Sequence, residues 1–149
     1  MLTSRALDER TLTSALLRLA RTYRRQVNQA LAAHGLSDAQ ALPVMQIARL
    51  GEGVRQGVLA EELGVEGPSL VRVLDQLCAS GLVERRDDPH DGRAKTLHLS
   101  PEGRALAVVI EQAVHALRSD LLAKASDADL AATLRVMSLF QAALETTQA

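Results

Sequence analysis

The stretch Val58-Leu59-Ala60-Glu61-Glu62-Leu63-Gly64-Val65-Glu66-Gly67-Pro68-Ser69-Leu70-Val71-Arg72-Val73-Leu74-Asp75-Gln76-Leu77 decides the fold. Leu59 and Leu63 make the inward stripe of a short helix, Ala60 permits close approach of a second, and Gly64 releases the chain into a turn. Pro68 suits the first position of the next helix, where a missing N–H has no intrahelical partner to lose. Leu70, Val73, Leu74, Leu77 and Cys78 then recur on one face, and Gly81 is placed to end the helix in a left-handed conformation. Two short helices joined by a tight turn read as helix-turn-helix. The residues left outward include Ser69, Arg72 and Gln76, at i, i+3 and i+7, which form one polar stripe near the helix start. Arg bonds guanine bidentately, Gln pairs with adenine, and a Ser beside helix-end amides suits a phosphate, so the stripe is a candidate DNA-reading surface.

Downstream, Leu82-Val83-Glu84-Arg85-Arg86-Asp87 and Lys95-Thr96-Leu97-His98-Leu99 flank a polar tip, Asp88-Pro89-His90-Asp91-Gly92-Arg93. The spacing predicts a hairpin, with Asp91-Gly92 as its turn signal. A hairpin directly after a recognition helix is a wing, able to bring a cation into the minor groove. Arg93 is the candidate for that cation. Asp91 would repel phosphate if free, so it is expected to bond Arg93 or Arg86 and orient it. Arg85, Arg86 and Lys95 are candidate phosphate contacts.

Upstream, Leu12, Leu16, Leu19, Tyr23, Val27, Ala30 or Leu31 and His34 keep helical spacing, and Gly35 stops them. A helix over about residues 8–34 is roughly 40 Å long, more than a small domain needs for its own core, and predicts a partner chain. Ser37-Asp38-Ala39-Gln40 has capping-box spacing for a second helix running to Leu50 with Pro43 inside it. Ser100-Pro101-Glu102-Gly103 opens another long helix, whose stripe is Leu106, Val109 or Ile110, Ala113, Leu117 and Leu121. Ser126-Asp127-Ala128-Asp129 caps a last helix with the stripe Leu130, Leu134, Met137, Gln141 and Leu144; Met137 and Phe140 read as core. The expected organisation is a helical dimerisation lobe of residues 1–36 and 101–149, and a winged helix-turn-helix lobe of residues 37–100, intertwined as one domain. The fold class is mostly α with a small β-wing (α+β).

The 149 residues carry 17 Lys+Arg against 18 Asp+Glu, a formal charge of −1, and 47% of them are hydrophobic. Such a chain folds, and its near-zero charge argues against strong non-specific DNA affinity. Charge is unevenly spread: residues 1–25 hold six Arg against Asp8 and Glu9, while residues 105–149 are net acidic. The N-terminal residues lack the apolar segment of a secretory signal, and the longest apolar run, Ala105 to Ile110, is far short of a membrane span. With one Cys, Cys78, no intrachain disulfide can form, so the reading is cytoplasmic. Four scattered histidines give no short metal-ligand pair, and no nucleophile motif, acid pair or cofactor loop is present, so no enzyme, metal or cofactor is expected. The spacing of Gly51, Gly53 and Gly57 departs from a dinucleotide loop and follows a helix. The competing function is a winged helix that contacts protein without specific DNA binding. Salt dependence separates the two, because DNA binding weakens steeply with salt.

Residues Gly67 to Leu77, then Gly81-Leu82-Val83-Glu84-Arg85, then Asp91-Gly92-Arg93-Ala94-Lys95 through Leu99-Ser100-Pro101-Glu102-Gly103, resemble the MarR family of bacterial transcriptional regulators, most closely its SlyA-like branch. The motifs cover about residues 36–104; the flanking helices agree in length and order. The resemblance implies a homodimer with interlocked first and last helices, whose two recognition helices read a pseudo-palindromic site on double-stranded DNA, with repression the expected outcome. It assigns Ser69 and Arg72 to DNA, Arg93 to the minor groove and Asp91 to the wing acid. It also implies release by a small phenolic or aromatic carboxylate, for which Tyr23 and Arg24, with Arg25 as the alternative cation, are the candidates here. The Trp of urate-sensing members is absent, and Cys78 lies on the recognition helix rather than near the first helix, where redox-sensing members carry their thiolate.

Overall fold

A computed structural model describes residues 3–147, with Asp38 and Thr147 in their backbone alone. Its elements are α1 (Ser4–Ala32), α2 (Asp38–Leu50), β1 (Val54–Arg55), α3 (Gln56–Leu63), α4 (Gly67–Ala79), β2 (Val83–Asp88), β3 (Asp91–Leu99), α5 (Pro101–Leu122) and α6 (Asp127–Thr147). The chain divides into two units, residues 1–117 and 118–149. Among the described residues no helix is long and apolar enough to cross a membrane.

The core of the first unit draws one or more side chains from every helix in it and from the sheet. Leu31 of α1, Val44 and Ile47 of α2, Leu59 of α3, Leu70, Leu74 and Leu77 of α4, Leu97 of β3, and Ile110 and Val114 of α5 are all buried. Each fully buried aliphatic side chain of this kind contributes about 1.5–3 kcal/mol. The helix-turn-helix is therefore held from below by the faces that the leucine spacing of α3 and α4 predicts, with Val73 and Cys78 packed at its margin. Both exits from these helices are glycines with positive φ, Gly64 at 61° and Gly81 at 73°. In each, the following residue donates back five positions, Val65 to Ala60 and Leu82 to Leu77, closing the last turn.

The wing is an antiparallel sheet of three strands in the order β1-β3-β2, one more than the hairpin expected from sequence. β1 is two residues long, too short to carry a period; it exists because Val54 and Arg55 pair with Leu97 and Thr96 of β3. The turn also differs from expectation. Its tip is Pro89-His90, while Asp91 and Gly92 already belong to β3. The Asp88 carboxylate accepts the His90 N–H at 2.8 Å and Pro89 fixes its own φ, so the turn is built by Asp88-Pro89, and Gly92 does not adopt positive φ.

The first turn of α5 docks against the junction of α4 and β2. Ser100 caps it, its hydroxyl accepting the Gly103 N–H at 2.9 Å, while the Ser100 N–H donates to the Leu82 carbonyl at 3.1 Å. A Cβ at position 103 would lie 2.1 Å from that same carbonyl oxygen, so only glycine fits.

Several helix expectations shift. α1 starts at Ser4, where the Thr3 hydroxyl accepts the Ala6 N–H, and ends at Ala32 rather than 34. Ser37 precedes α2 without a side-chain bond to a backbone amide; its hydroxyl instead lies 3.5 Å from the Gln40 amide oxygen. Of the α1 stripe, Val27 and Leu31 are buried, whereas Leu12, Leu19 and Tyr23 are exposed. Val109 of α5 is likewise exposed, leaving Ile110 as the inward residue.

In the second unit, Leu121 is exposed. α6 begins with a reciprocal box: the Asp129 N–H donates to the Ser126 hydroxyl at 3.2 Å, and the Asp129 carboxylate accepts both the Ser126 hydroxyl and its N–H. Met137 and Phe140 are not core in this single chain, at 45% and 40% exposure, because one helix offers no second layer to bury them.

Candidate nucleic-acid interface

Ser69, Arg72 and Gln76 are exposed on α4, the face opposite Leu70, Leu74 and Leu77. The buried leucines fix the rotation of the helix and thereby the outward stripe. Glu66 caps α4 through its backbone, its carbonyl accepting the N–H groups of Ser69 and Leu70, so Ser69 offers its hydroxyl rather than its amide.

The cations around this face fall into two sets. Arg85 is half-buried and bonds Asp75 of α4 together with the Val71 carbonyl at 3.3 Å, tying β2 to the recognition helix. Arg86 is paired with Glu84 at 2.8 Å and Lys95 with Asp87. The Arg86 guanidinium holds the Glu84 carboxyl below its ordinary value, first by hydrogen bonding and then by charge. Arg72 and Arg93, by contrast, are exposed, and among the described residues neither guanidinium has an ion-pair partner.

Asp91 departs from the expected geometry. Its carboxylate accepts the backbone N–H of Arg93 at 3.1 Å, so it shapes the start of β3 and leaves the Arg93 guanidinium untouched, while Arg86 is already engaged by Glu84. An Asp two residues before an N–H reaches it more readily than it reaches a long side chain directed outward. The acid that organises the tip is Asp88, which is buried. It accepts the His90 N–H and is held below its ordinary value chiefly by that bond, against the cost of burial, with Arg55 adding a further lowering. Arg55 and Asp88 are the wing's ion pair that the sequence reading did not foresee. The Asp-Pro dipeptide was a legible turn signal, but Arg55 stands 33 residues away and had none.

The two candidate ligand residues line open space. A cavity of about 500 Å³ is bounded by Tyr23 and Arg24 of α1, Leu42 of α2 and Leu63 of α3. A second, of about 190 Å³, is lined by Arg24, Leu42, Pro43, Leu63 and Val73, and by Ser69 of the recognition helix. Cys78 is partly buried against the core. Among the described residues no group of three His, Cys, Asp or Glu side chains is placed to hold a metal ion.

A model of the MarR family matches residues 34–94. Among solved structures, the transcriptional regulator PA3341 is 33% identical, with 91% of this chain and 98% of that one covered at a TM-score of 0.84. A Staphylococcus aureus MarR in complex with salicylate and kanamycin is 20% identical, covering 94% of both chains at a TM-score of 0.79. A mutant MarR from E. coli complexed with operator DNA is 24% identical, covering 87% of this chain and 93% of that one at a TM-score of 0.73. The last two likenesses are of fold alone.

Proposed function

Since the chain belongs to the MarR family of transcriptional regulators, we propose that it is a homodimeric, sequence-specific repressor of the SlyA-like branch, a DNA reader rather than an enzyme. The observation that carries this is the pair of exposed guanidinium groups without an ion-pair partner among the described residues, Arg72 on the recognition helix and Arg93 on the wing, while neighbouring Arg85, Arg86 and Lys95 are engaged by acids. Arg72, with Ser69 and Gln76, reads base edges in the major groove; Arg93 enters the minor groove; Arg86 and Lys95 exchange their acids for phosphates. Asp91 sets the backbone from which Arg93 projects.

Dimerisation is supported by apolar side chains that each unit leaves uncovered, Leu12 and Leu19 on α1, and Leu134, Met137 and Phe140 on α6. Residues 1–36 and 101–149 form the dimer lobe, and residues 37–100 the reading lobe. A small phenolic or aromatic carboxylate binds against Tyr23 and Arg24. Arg24 also lines the smaller cavity together with Ser69, so a ligand that extends into it touches the recognition helix directly.

Selection of bound sequences from a random duplex pool, then binding of the winner across salt concentrations, tests this reading. The expected result is a pseudo-palindrome with half-sites about one helical turn apart. Arg72→Ala and Arg93→Ala should each cost about 1–3 kcal/mol of specific binding. Equal operator affinity in wild type and both variants would overturn the reading, and failure to enrich any sequence would leave protein contact as the function.

A further inference from the structure

We infer that Arg55 is a DNA-backbone contact at the base of the wing, presented by the buried carboxylate of Asp88. The inference rests on the DNA-reading function proposed above and adds a residue to it.

Arg55 is the second residue of β1, paired with Thr96 of β3 and directly preceding α3, so it stands where the wing meets the helix-turn-helix. Its Nε donates to Asp88 Oδ2 at 2.8 Å, and Nη2 lies 2.7 Å from the same oxygen. The other oxygen of Asp88, Oδ1, accepts the His90 N–H at 2.8 Å. The pair is asymmetric in exposure: the Asp88 side chain is 6% exposed and that of Arg55 51%. A buried acid thus grips one edge of the guanidinium and leaves the opposite edge, with Nη1, facing outward without a partner among the described residues.

That edge borders an open cleft of about 460 Å³ lined by Arg55, Gln56 and Gly57 at the start of α3, Glu61, and Arg93 and Lys95 of β3. Three cations and Glu61 line it; Arg55 is held by Asp88 and Lys95 by Asp87, while Arg93 has no ion-pair partner among the described residues. Held on one side by a carboxylate, Arg55 loses rotamer freedom, so a phosphate meets a fork already oriented. A purely structural tie between β1 and the wing tip needs no converging cations beside it. A phosphodiester backbone passing between the start of α3 and the wing does.

The test is fluorescence anisotropy of the selected duplex at a series of salt concentrations, on the full-length chain, with thermal melts alongside. Arg55→Gln is expected to weaken binding about tenfold and to lower the slope of log affinity against log salt by about 0.9 for each protomer. Arg55→Lys should restore the slope, since a cation returns. Asp88→Asn should retain the slope but weaken binding several-fold, because the charge remains and its orientation is lost. A wild-type slope in Arg55→Gln, whether or not its melting temperature falls, overturns the inference and leaves Arg55 a structural tie. A wild-type protein whose binding is insensitive to salt overturns the DNA-reading function itself and the inference with it. Should Arg55→Gln fail to fold, an unchanged affinity in Asp88→Asn overturns the inference in its place.

Discussion

Substituting Gly103 by alanine puts a methyl group 2.1 Å from the carbonyl oxygen of Leu82 and 3.1 Å from its carbon, where ordinary contact begins at 3.4 Å. The obstacle is backbone and is held from two sides. Leu82 O accepts the Ser100 N–H at 3.1 Å, and the Ser100 hydroxyl caps α5 through the Gly103 N–H at 2.9 Å. Relief therefore requires α5 to lift from the α4–β2 junction. Overpacking of this kind costs about 1–3 kcal/mol, and loosening the Ser100 cap adds about 1. Against that stands a gain of about 1 kcal/mol from the better helix propensity of alanine. The net is a loss of about 2 kcal/mol, which for a chain of this size lowers the melting temperature by about 4–8 °C. Circular-dichroism melts of both proteins at one fixed concentration measure it, since the proposed dimerisation makes the temperature concentration-dependent. A melting temperature unchanged or raised in Gly103→Ala, as an ordinary helical Gly→Ala exchange gives, would refute the close approach of α5 to Leu82.

Leu74→Ala empties a fully buried site on α4 and should cost about 2–5 kcal/mol in urea denaturation, against well under 1 for the exposed Val71→Ala; equal costs would contradict the assigned helix rotation. The Asp129 carboxyl is held below its ordinary value of 3.8, first by the Ser126 hydroxyl and then by the Ser126 N–H. The folded value being the lower, this bond contributes stability above the ordinary aspartate range and loses it as pH falls through the lowered value. In Ser126→Ala the Asp129 titration followed by carbon NMR should move up toward 3.8, and an unmoved curve would disprove the box. Arg24→Gln should weaken binding of salicylate about tenfold by calorimetry if its carboxylate meets that guanidinium, and equal affinity would place the ligand elsewhere.

What periodicity could reveal, it revealed well. Leu59, Leu70, Leu74 and Leu77 are buried as their spacing requires, and Gly64 and Gly81 end their helices, because helical faces and caps depend on residues within one or two turns. The outward stripe of Ser69, Arg72 and Gln76 follows from the same geometry. The wing tip was read one step late. Asp91-Gly92 and Asp88-Pro89 are both turn signals, and the unbroken ladder from Val83 opposite Leu99 to Asp87 opposite Lys95 would centre the turn on Asp91; an irregularity after Asp87 shifts the register so that Asp88 pairs with Asp91, and the turn falls at Pro89-His90. Asp91, read as a partner for a guanidinium, instead closes a local backbone bond.

By itself, then, the sequence determined the order of helices, the helix-turn-helix, the presence of a wing and the exposed polar stripe of Ser69, Arg72 and Gln76, all of which rest on short-range patterns of apolar spacing, capping and turn chemistry. Tertiary structure alone decided that a two-residue strand joins the wing, that Arg55 is held by Asp88, that α5 touches Leu82 where only a glycine passes, and which cations already have acids beside them. The first three of these join residues 18 or more positions apart, where no local periodicity reaches and the partner is chosen by how the core brings the segments together; the acids beside Arg85, Arg86 and Lys95 lie only 2 to 10 positions away, but the pairing of strands and helix decides which of them each cation meets.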